Sequence, residues 1–342
     1  MLVLTTFEAY RTKKSHPLVL TLGTFDGVHL GHQHVLRKVC QRAKRIGGVS
    51  AILTFSEHPK HILKHKEPPY LITSTPHRLR LLDQLGFDIA FLIKFNKKFS
   101  KFSPYNFAKK IIVNKLHVSE IVLGYDSRFG RNRKGTVQDM SRFAREFKFR
   151  NFTVRPKLLN NQPISSTKIR SFIRRGDFSN VKKCLGRPYS ILGDVVKGIG
   201  LGRKIGFPTA NLNPHSEALP PCGVYLVSLN IVDMGLKKTK VINQYNLNDQ
   251  VYKKGLLGLL NIGVRPTINK AREGKSVSPI ISEIHILNFN GDLYGKTLEV
   301  TFVKRLRDEI HFESIDALKK QIKKDIDSVD KYTYLARKSY PV

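Results

Sequence analysis

Two histidines three residues apart, His29 and His32, close the block Gly23-Thr-Phe25-Asp26-Gly27-Val-His29-Leu-Gly31-His32. Glycine lets a backbone come close to a ligand. Two imidazoles on one side of such a turn can hydrogen-bond the α-phosphate of a nucleoside triphosphate and stabilise charge as pyrophosphate leaves. The bland alternative is a glycine-rich turn with one capping histidine, and the length of the block weighs against it. Further on, Ile164-Ser165-Ser166-Thr167-Lys168-Ile169-Arg170 sets three hydroxyls before a helical pattern of Ile169, Phe172 and Ile173 that stops at Gly176. Ser166 or Thr167 can serve as the N-cap. With Arg170 nearby, that helix start can hold β- and γ-phosphates.

A second constellation lies in the other half. Gly193-Asp-Val-Val-Lys-Gly198-Ile-Gly200-Leu-Gly202-Arg203-Lys-Ile-Gly206-Phe-Pro208-Thr209-Ala-Asn211 is dense in glycine and has no GKS or GKT. Gly198, Gly200 and Gly202 suggest a flap able to close over phosphates. Thr209 and Asn211, two apart on an extended segment, point the same way and offer two oxygen ligands to Mg²⁺. A β-hairpin with glycine bulges is the plainer alternative. Glu283 sits in the apolar strand Ile280-Ile-Ser-Glu283-Ile-His285-Ile, where a charge needs a reason: a general base, or one half of a structural salt bridge.

These residues need elements to position them. Apolar runs at 18–22, 49–55, 89–93 and 120–123 alternate with helical patterns at 33–45, 76–85 and 104–116. Thr75 is expected as N-cap of the second helix, with Pro76 at its first position. Alternation of this kind implies a parallel sheet covered on both faces, a Rossmann-like α/β domain. Past Gly186 the runs are short and β-rich, as at 224–232, 281–287 and 298–303, which implies a small antiparallel barrel or sandwich. Residues 233–254 read as a long hairpin excursion. A closing helix starts near Ser314, with Ile315, Leu318, Ile322 and Ile326 on one face. Two domains, 1–185 and 186–342, are the natural division.

Composition bounds the partners. The net charge is +34 over 342 residues, with 36 Lys and Arg against 11 Asp and Glu in the first 185 and 24 against 15 after them. The basic residues are scattered as singles and pairs, with no basic tail, so lysine-rich solvated surface is favoured over nucleic-acid binding. No apolar run approaches the roughly 18 residues of a membrane span. The first fifteen residues do not read as a secretory signal. Cys40, Cys184 and Cys222 lie far apart, which suits a reducing cytosol better than a disulfide framework or a zinc site.

The first motif resembles the signature of the HxGH nucleotidyltransferase superfamily, in the extended form found in the adenylyltransferase module of bacterial FAD synthetases. Phe55-Ser-Glu57-His58-Pro59, Gly124-Tyr-Asp126-Ser127-Arg128-Phe-Gly130 and the Ser165–Thr167 motif resemble further elements of that family. Glu57 stands where proline is usual and Ser127 where phenylalanine is usual. The second constellation resembles the riboflavin kinase signature. Gly223-Val-Tyr225, Asn261-Ile-Gly263-Val-Arg265-Pro-Thr267, Glu283-Ile-His285, Tyr294-Gly295 and Arg307-Asp-Glu309-Ile-His-Phe312 extend the similarity.

The resemblance implies a bifunctional enzyme of the bacterial FAD synthetase family, a riboflavin kinase/FMN adenylyltransferase. Riboflavin and ATP would give FMN and ADP in the C-terminal domain, and FMN and ATP would give FAD and pyrophosphate in the N-terminal one. It assigns His29 and His32 to adenylyl transfer, and Gly23, Phe25, Asp26, Gly31, Ser165, Ser166, Thr167 and Arg170 to ATP. Gly198, Gly200, Gly202 and Arg203 would cover ATP in the kinase, Thr209 and Asn211 would hold Mg²⁺, and Glu283 would be its base. His58, Asp126 and Arg307 would meet the flavin. Asp26 and Asp126 bind substrate or metal, or brace the loop. The competing readings are a basic nucleic-acid binder, a chain with one silent half, and a redox flavoprotein. The last lacks a GxGxxG fingerprint.

Overall fold

A computed structural model describes residues 1–10, 16–57, 69–198, 201–264 and 280–339, and these divide into two compact units. His58, Gly200 and Arg265-Pro-Thr267 of the motifs lie outside the described residues.

The first unit comprises Met1–Ile169, Cys184–Gly186 and Met234–Asn248. Its strands are β1 Leu2–Leu4, β2 Leu18–Leu22, β3 Val49–Phe55, β4 Ile89–Ile93, β5 Val118–Gly124 and β6 Arg150–Val154. They lie side by side in the order β1-β4-β3-β2-β5-β6, every neighbouring pair parallel. Apolar residues run on without alternation because both faces are covered. Leu18, Leu20, Ala51, Leu53, Phe91 and Ile121 pack on one side, and Val19, Ile52, Ala90, Leu92 and Val122 on the other. Helices α1 Leu30–Arg45 and α2 Thr75–Gln84 bury their apolar residues in the second layer, and α3 Val137–Phe147 in the first.

From β2 the chain steps outward through β3 to β4, then returns to β5 on the other side of β2. The C-terminal end of β2 is therefore where the strand order reverses, the place at which open α/β sheets bind ligands. The expected strands are all present. Residues 104–116 start as expected behind the cap Ser103, at Pro104–Phe107, but continue as a wider turn over Ala108–Val113. Thr75 is not the N-cap of α2: Ser74 holds that position, and the Thr75 hydroxyl instead donates to the Ser56 carbonyl at 2.9 Å.

The second unit comprises Arg170–Lys183, Arg187–Asp233 and Asp249–Val342. The chain reaches it past β7 Leu158–Leu159 and β8 Gln162–Pro163, which form a minimal hairpin in the first unit. Its strands are β9 Ser190–Val196, β10 Ala210–Asn213, β11 Gly223–Lys238, β12 Gln244–Val264, β13 Ile280–Ile286 and β14 Thr297–Arg307. Among the described residues they pair in the order β11-β14-β9-β10-β13-β12, and β12 pairs with β11 again. The ring is an antiparallel barrel, which leaves no open edge. The long β11–β12 hairpin is the expected excursion. Its distal part counts with the first unit, where Gln244, Tyr245 and Asn246 pair with Leu4, Val3 and Leu2. A helix, Ile315–Ser339, begins behind Ser314, whose hydroxyl oxygen accepts from the Ala317 amide at 3.2 Å. Its Val329 and Ile326 pack on Val224, Leu226 and Leu259.

Candidate functional sites

The loop after β2 is held in an unusual shape. Phe25 and Val28 have φ of +46° and +40°, and Gly27 has +84°. For the two side-chain-bearing residues this costs on the order of 1–3 kcal/mol each, a strain that persists only where surroundings enforce it. The enforcing group is Asp26. Its carboxylate is buried, and Oδ1 accepts from the amides of Ile72 and Thr73 at 2.9 and 3.0 Å. Gly27 N–H in turn donates to the Thr73 hydroxyl at 2.9 Å. A Cβ on Gly27 would come within 2.9 Å of Ile72. Asp26 thus takes the bracing role.

His29 caps α1, its Nδ1 accepting from the His32 amide at 3.2 Å. The two rings stack at 3.5 Å, 17° from parallel, and Phe25 meets His32 edge-on at 5.2 Å. Nδ1 of His32 is shut off from solvent without a hydrogen-bond partner. Burial, then His29, then Arg78 hold His32 well below the usual histidine range. Arg78 was not foreseen from sequence. It is 3% exposed, donates through Nη2 to the Phe55 carbonyl at 2.7 Å, and burial lowers it to about 10 against the pull of Asp26.

The other segments of this half converge on the same edge. Ser166 Oγ donates to the Asp26 carbonyl at 3.0 Å, and the Ile164 carbonyl lies 3.7 Å from where a Gly31 Cβ would stand. Helix α4, Ser166–Arg174, is capped by Ser165 rather than by Ser166 or Thr167. The Ser165 hydroxyl accepts from the Lys168 amide at 3.3 Å, the third residue into the helix. Thr167 is exposed and Arg170 half-buried. Asp126, exposed, and Ser127 lie over Gly124 at the end of β5, beside β2. Gly23 closes β2 by donating to the Leu53 carbonyl at 3.0 Å.

In the barrel, register assembles the site. Asn211 stands directly opposite Val196 on β9 and Glu283 on β13, and Glu283 stands opposite Asn261 on β12. Directly opposed residues share a face, with Cβ atoms about 4.5–5.5 Å apart. Asn211, Glu283 and Asn261 therefore form one row. The glycine segment packs against the ligand pair: a Cβ on Gly202 would stand 2.7 Å from Thr209 Oγ1, and one on Gly198 would overlap the Asn211 amide. Around Gly202 the segment is a helical turn, Leu201–Lys204, with Arg203 exposed. Glu309 lies over Gly263, where a Cβ would overlap its carboxylate. Arg307 is held by Asp325: Nε and Nη2 reach that carboxylate at 2.8–3.1 Å, and Nη1 donates to the Asp308 carbonyl at 3.0 Å.

Residues 11–168 match the FAD synthetase family and residues 185–333 the riboflavin kinase family. The bifunctional riboflavin kinase/FMN adenylyltransferase of Bacillus subtilis is 35% identical over 94% of this chain and 94% of its own. That of Haemophilus influenzae is 35% identical over 90% and 92%. A crystal structure described as a macrolide-efflux protein from Streptococcus pneumoniae is 28% identical and covers 96% of this chain and 98% of its own, at a TM-score of 0.75. Among the described residues here, no helix is long and apolar enough to cross a membrane. At this identity over nearly its whole length, and with one family match in each half, the chain belongs to the bifunctional riboflavin kinase/FMN adenylyltransferase family.

Proposed function

We propose that residues 186–342 phosphorylate riboflavin with ATP, giving FMN and ADP, and that residues 1–185, an HxGH nucleotidyltransferase domain, join FMN to ATP, giving FAD and pyrophosphate. The observation that carries the reading is the register that sets Asn211 beside Glu283. A ribityl hydroxyl is a poor nucleophile, so a placed carboxylate that takes its proton as oxygen attacks the γ-phosphorus contributes roughly 10²–10⁴ in rate. Thr209 and Asn211 supply neutral oxygens to Mg²⁺, which suits a hard cation held mainly by phosphates and water. Gly198 and Gly202 pack so closely against that pair that a side chain on either would collide with Asn211 or Thr209. Mg²⁺ there would neutralise charge on the phosphates being separated. Gly200 and Arg203 complete the proposed cover.

In the first unit the nucleophile is an FMN phosphate oxygen, anionic already, so no base is needed. It bonds to the α-phosphorus as the bond to pyrophosphate breaks. His29 and His32 face the α-phosphate, with Gly23, Phe25 and Gly31 of the loop beside it and Asp26 bracing that loop. Ser165, Ser166, Thr167 and Arg170 hold the outer phosphates. Asp126, His58 and, in the barrel, Arg307 are assigned to flavin. We place both reactions in the cytosol, which suits three cysteines that lie far apart in sequence.

The test separates FMN and FAD over time from riboflavin, ATP and Mg²⁺. Glu283→Ala should stop the first product, and His29→Ala/His32→Ala only the second. FMN accumulating without FAD in the unmodified protein would remove the adenylyltransferase half of the reading.

A further inference from the structure

His285 follows Glu283 by two residues on β13, so both side chains leave the strand on one face. Its Nδ1 lies 2.8 Å from the Pro208 carbonyl oxygen, and its ring meets Phe207 edge-on at 6.0 Å and 81°. Pro208 immediately precedes Thr209. A carbonyl oxygen can only accept, so a hydrogen stands on Nδ1.

This contact falls where the backbone ladder stops. Ala210 and Ile284 are the last paired residues of β10 and β13 in this direction; the next position on β13 is His285 itself. Upstream of Ala210 the chain turns through Gly206, at φ +90°, and Pro208 has no N–H to give. The imidazole therefore continues by side chain the attachment that the ladder makes by backbone. It ties the strand carrying Glu283 to the residue before Thr209.

We infer that His285 is a positioning residue of the kinase reaction. It fixes the direction in which Thr209 and Asn211 present their oxygens to metal-bound nucleotide beside Glu283. The inference rests on the roles given above to those three residues. Its substrate-side consequence is specific: Mg–ATP binding depends on His285, and riboflavin binding does not.

Two variants separate this from a packing role. His285→Asn keeps a nitrogen donor where Nδ1 stands, whereas His285→Leu fills the space without one. In the Leu variant the KM for Mg–ATP in FMN formation should rise roughly tenfold, the loss of one well-made hydrogen bond. The KM for riboflavin should stay, and the Asn variant should restore most of the loss. FAD formation from supplied FMN, by the other half of the same molecule, is the control for folding. A Leu variant with unchanged Mg–ATP dependence, or Leu and Asn variants equally impaired, overturns the inference. Glu283→Gln is run alongside: if it forms FMN at the unmodified rate, the reading of the site fails and the role of His285 with it. A Glu283→Gln variant that is inactive beside a normal His285→Leu variant rejects His285 alone. Should the Leu variant not fold, ¹⁵N spectra of the unmodified protein decide, since an Nδ1 of His285 that carries no hydrogen is incompatible with the contact.

Discussion

His29 and His32 stack face to face at 3.5 Å, and the backbone between them is locked by the hydrogen bond from the His32 amide to His29 Nδ1. Two rings so placed cannot both take a proton cheaply, and burial adds to the cost for His32. His32 is therefore neutral in the free protein at pH 7, its value depressed by burial, by His29 and by Arg78. On the proposed reading a bound triphosphate would bring the opposite charge and raise it again.

Side-chain NMR titration should find His32 neutral well below pH 6.5, the ordinary histidine value, and titrating higher once a non-reactive ATP analogue is added. The stability consequence has a definite sign. A group whose folded value is lowered binds fewer protons folded than unfolded, so stability is lost as pH falls through the unfolded value near 6.5. Replacing His32 by Asn should flatten that part of the profile. A His32 that titrates at or above the ordinary value in the free protein contradicts the arrangement.

Asp26 separates bracing from phosphate contact. Asp26→Ala leaves the amides of Ile72 and Thr73 buried without their acceptor, at about 1–3 kcal/mol for each orphaned group. Asp26→Asn keeps an oxygen acceptor but removes the negative charge near Arg78. Thermal melting should fall clearly for Ala and less for Asn, with FAD formation impaired in both and FMN formation intact in both. An Ala variant that melts like the parent excludes the brace.

What could be read from the sequence followed from local pattern. The position of the His29–His32 turn was legible because an apolar run, glycines and a helical period adjoin in ten residues. β6 was not, because Arg150, Asn151 and Thr153 break any apolar run in a strand that is only partly buried. Helix α3 did leave a signal: Thr136 and Asp139 form a capping box ahead of Val137, Met140, Phe143 and Ala144. The three hydroxyls of 165–167 are interchangeable as caps on paper, and only the helix start selects Ser165. The partners of Asp26 and His285 lie 46 and 77 residues away along the chain. No local pattern encodes such contacts.

Arg307 and Asp325 form a forked pair with side chains 18% and 7% exposed. Removing one member of such a pair strands the other and costs about 3–5 kcal/mol. Arg307→Ala and Asp325→Ala should each lower the denaturation midpoint, and the double variant should lose less than the sum. Binding to flavin predicts something further: Arg307→Lys, which keeps a charge, would raise the KM for riboflavin more than Asp325→Ala does. Equal effects of the two assign Arg307 to the helix alone.

Glycine substitutions in the kinase segment distinguish space from backbone shape. Gly198→Ala would drive a methyl into the Asn211 amide, and Gly202→Ala would set one 2.7 Å from Thr209 Oγ1. Either must displace a proposed magnesium ligand, so FMN formation should fall at least tenfold, on the order of 1.4 kcal/mol in transition-state stabilisation. FAD formation from FMN should be untouched. Gly206→Ala is the contrast, because nothing lies within 4 Å of its added methyl but its φ is +90°. There the cost is backbone strain of about 1–3 kcal/mol, read as a lower melting temperature with the Mg–ATP dependence of the folded enzyme unchanged. If Gly198→Ala and Gly206→Ala alter Mg–ATP dependence alike, the segment acts through its general flexibility, and close contact with Asn211 is not what matters.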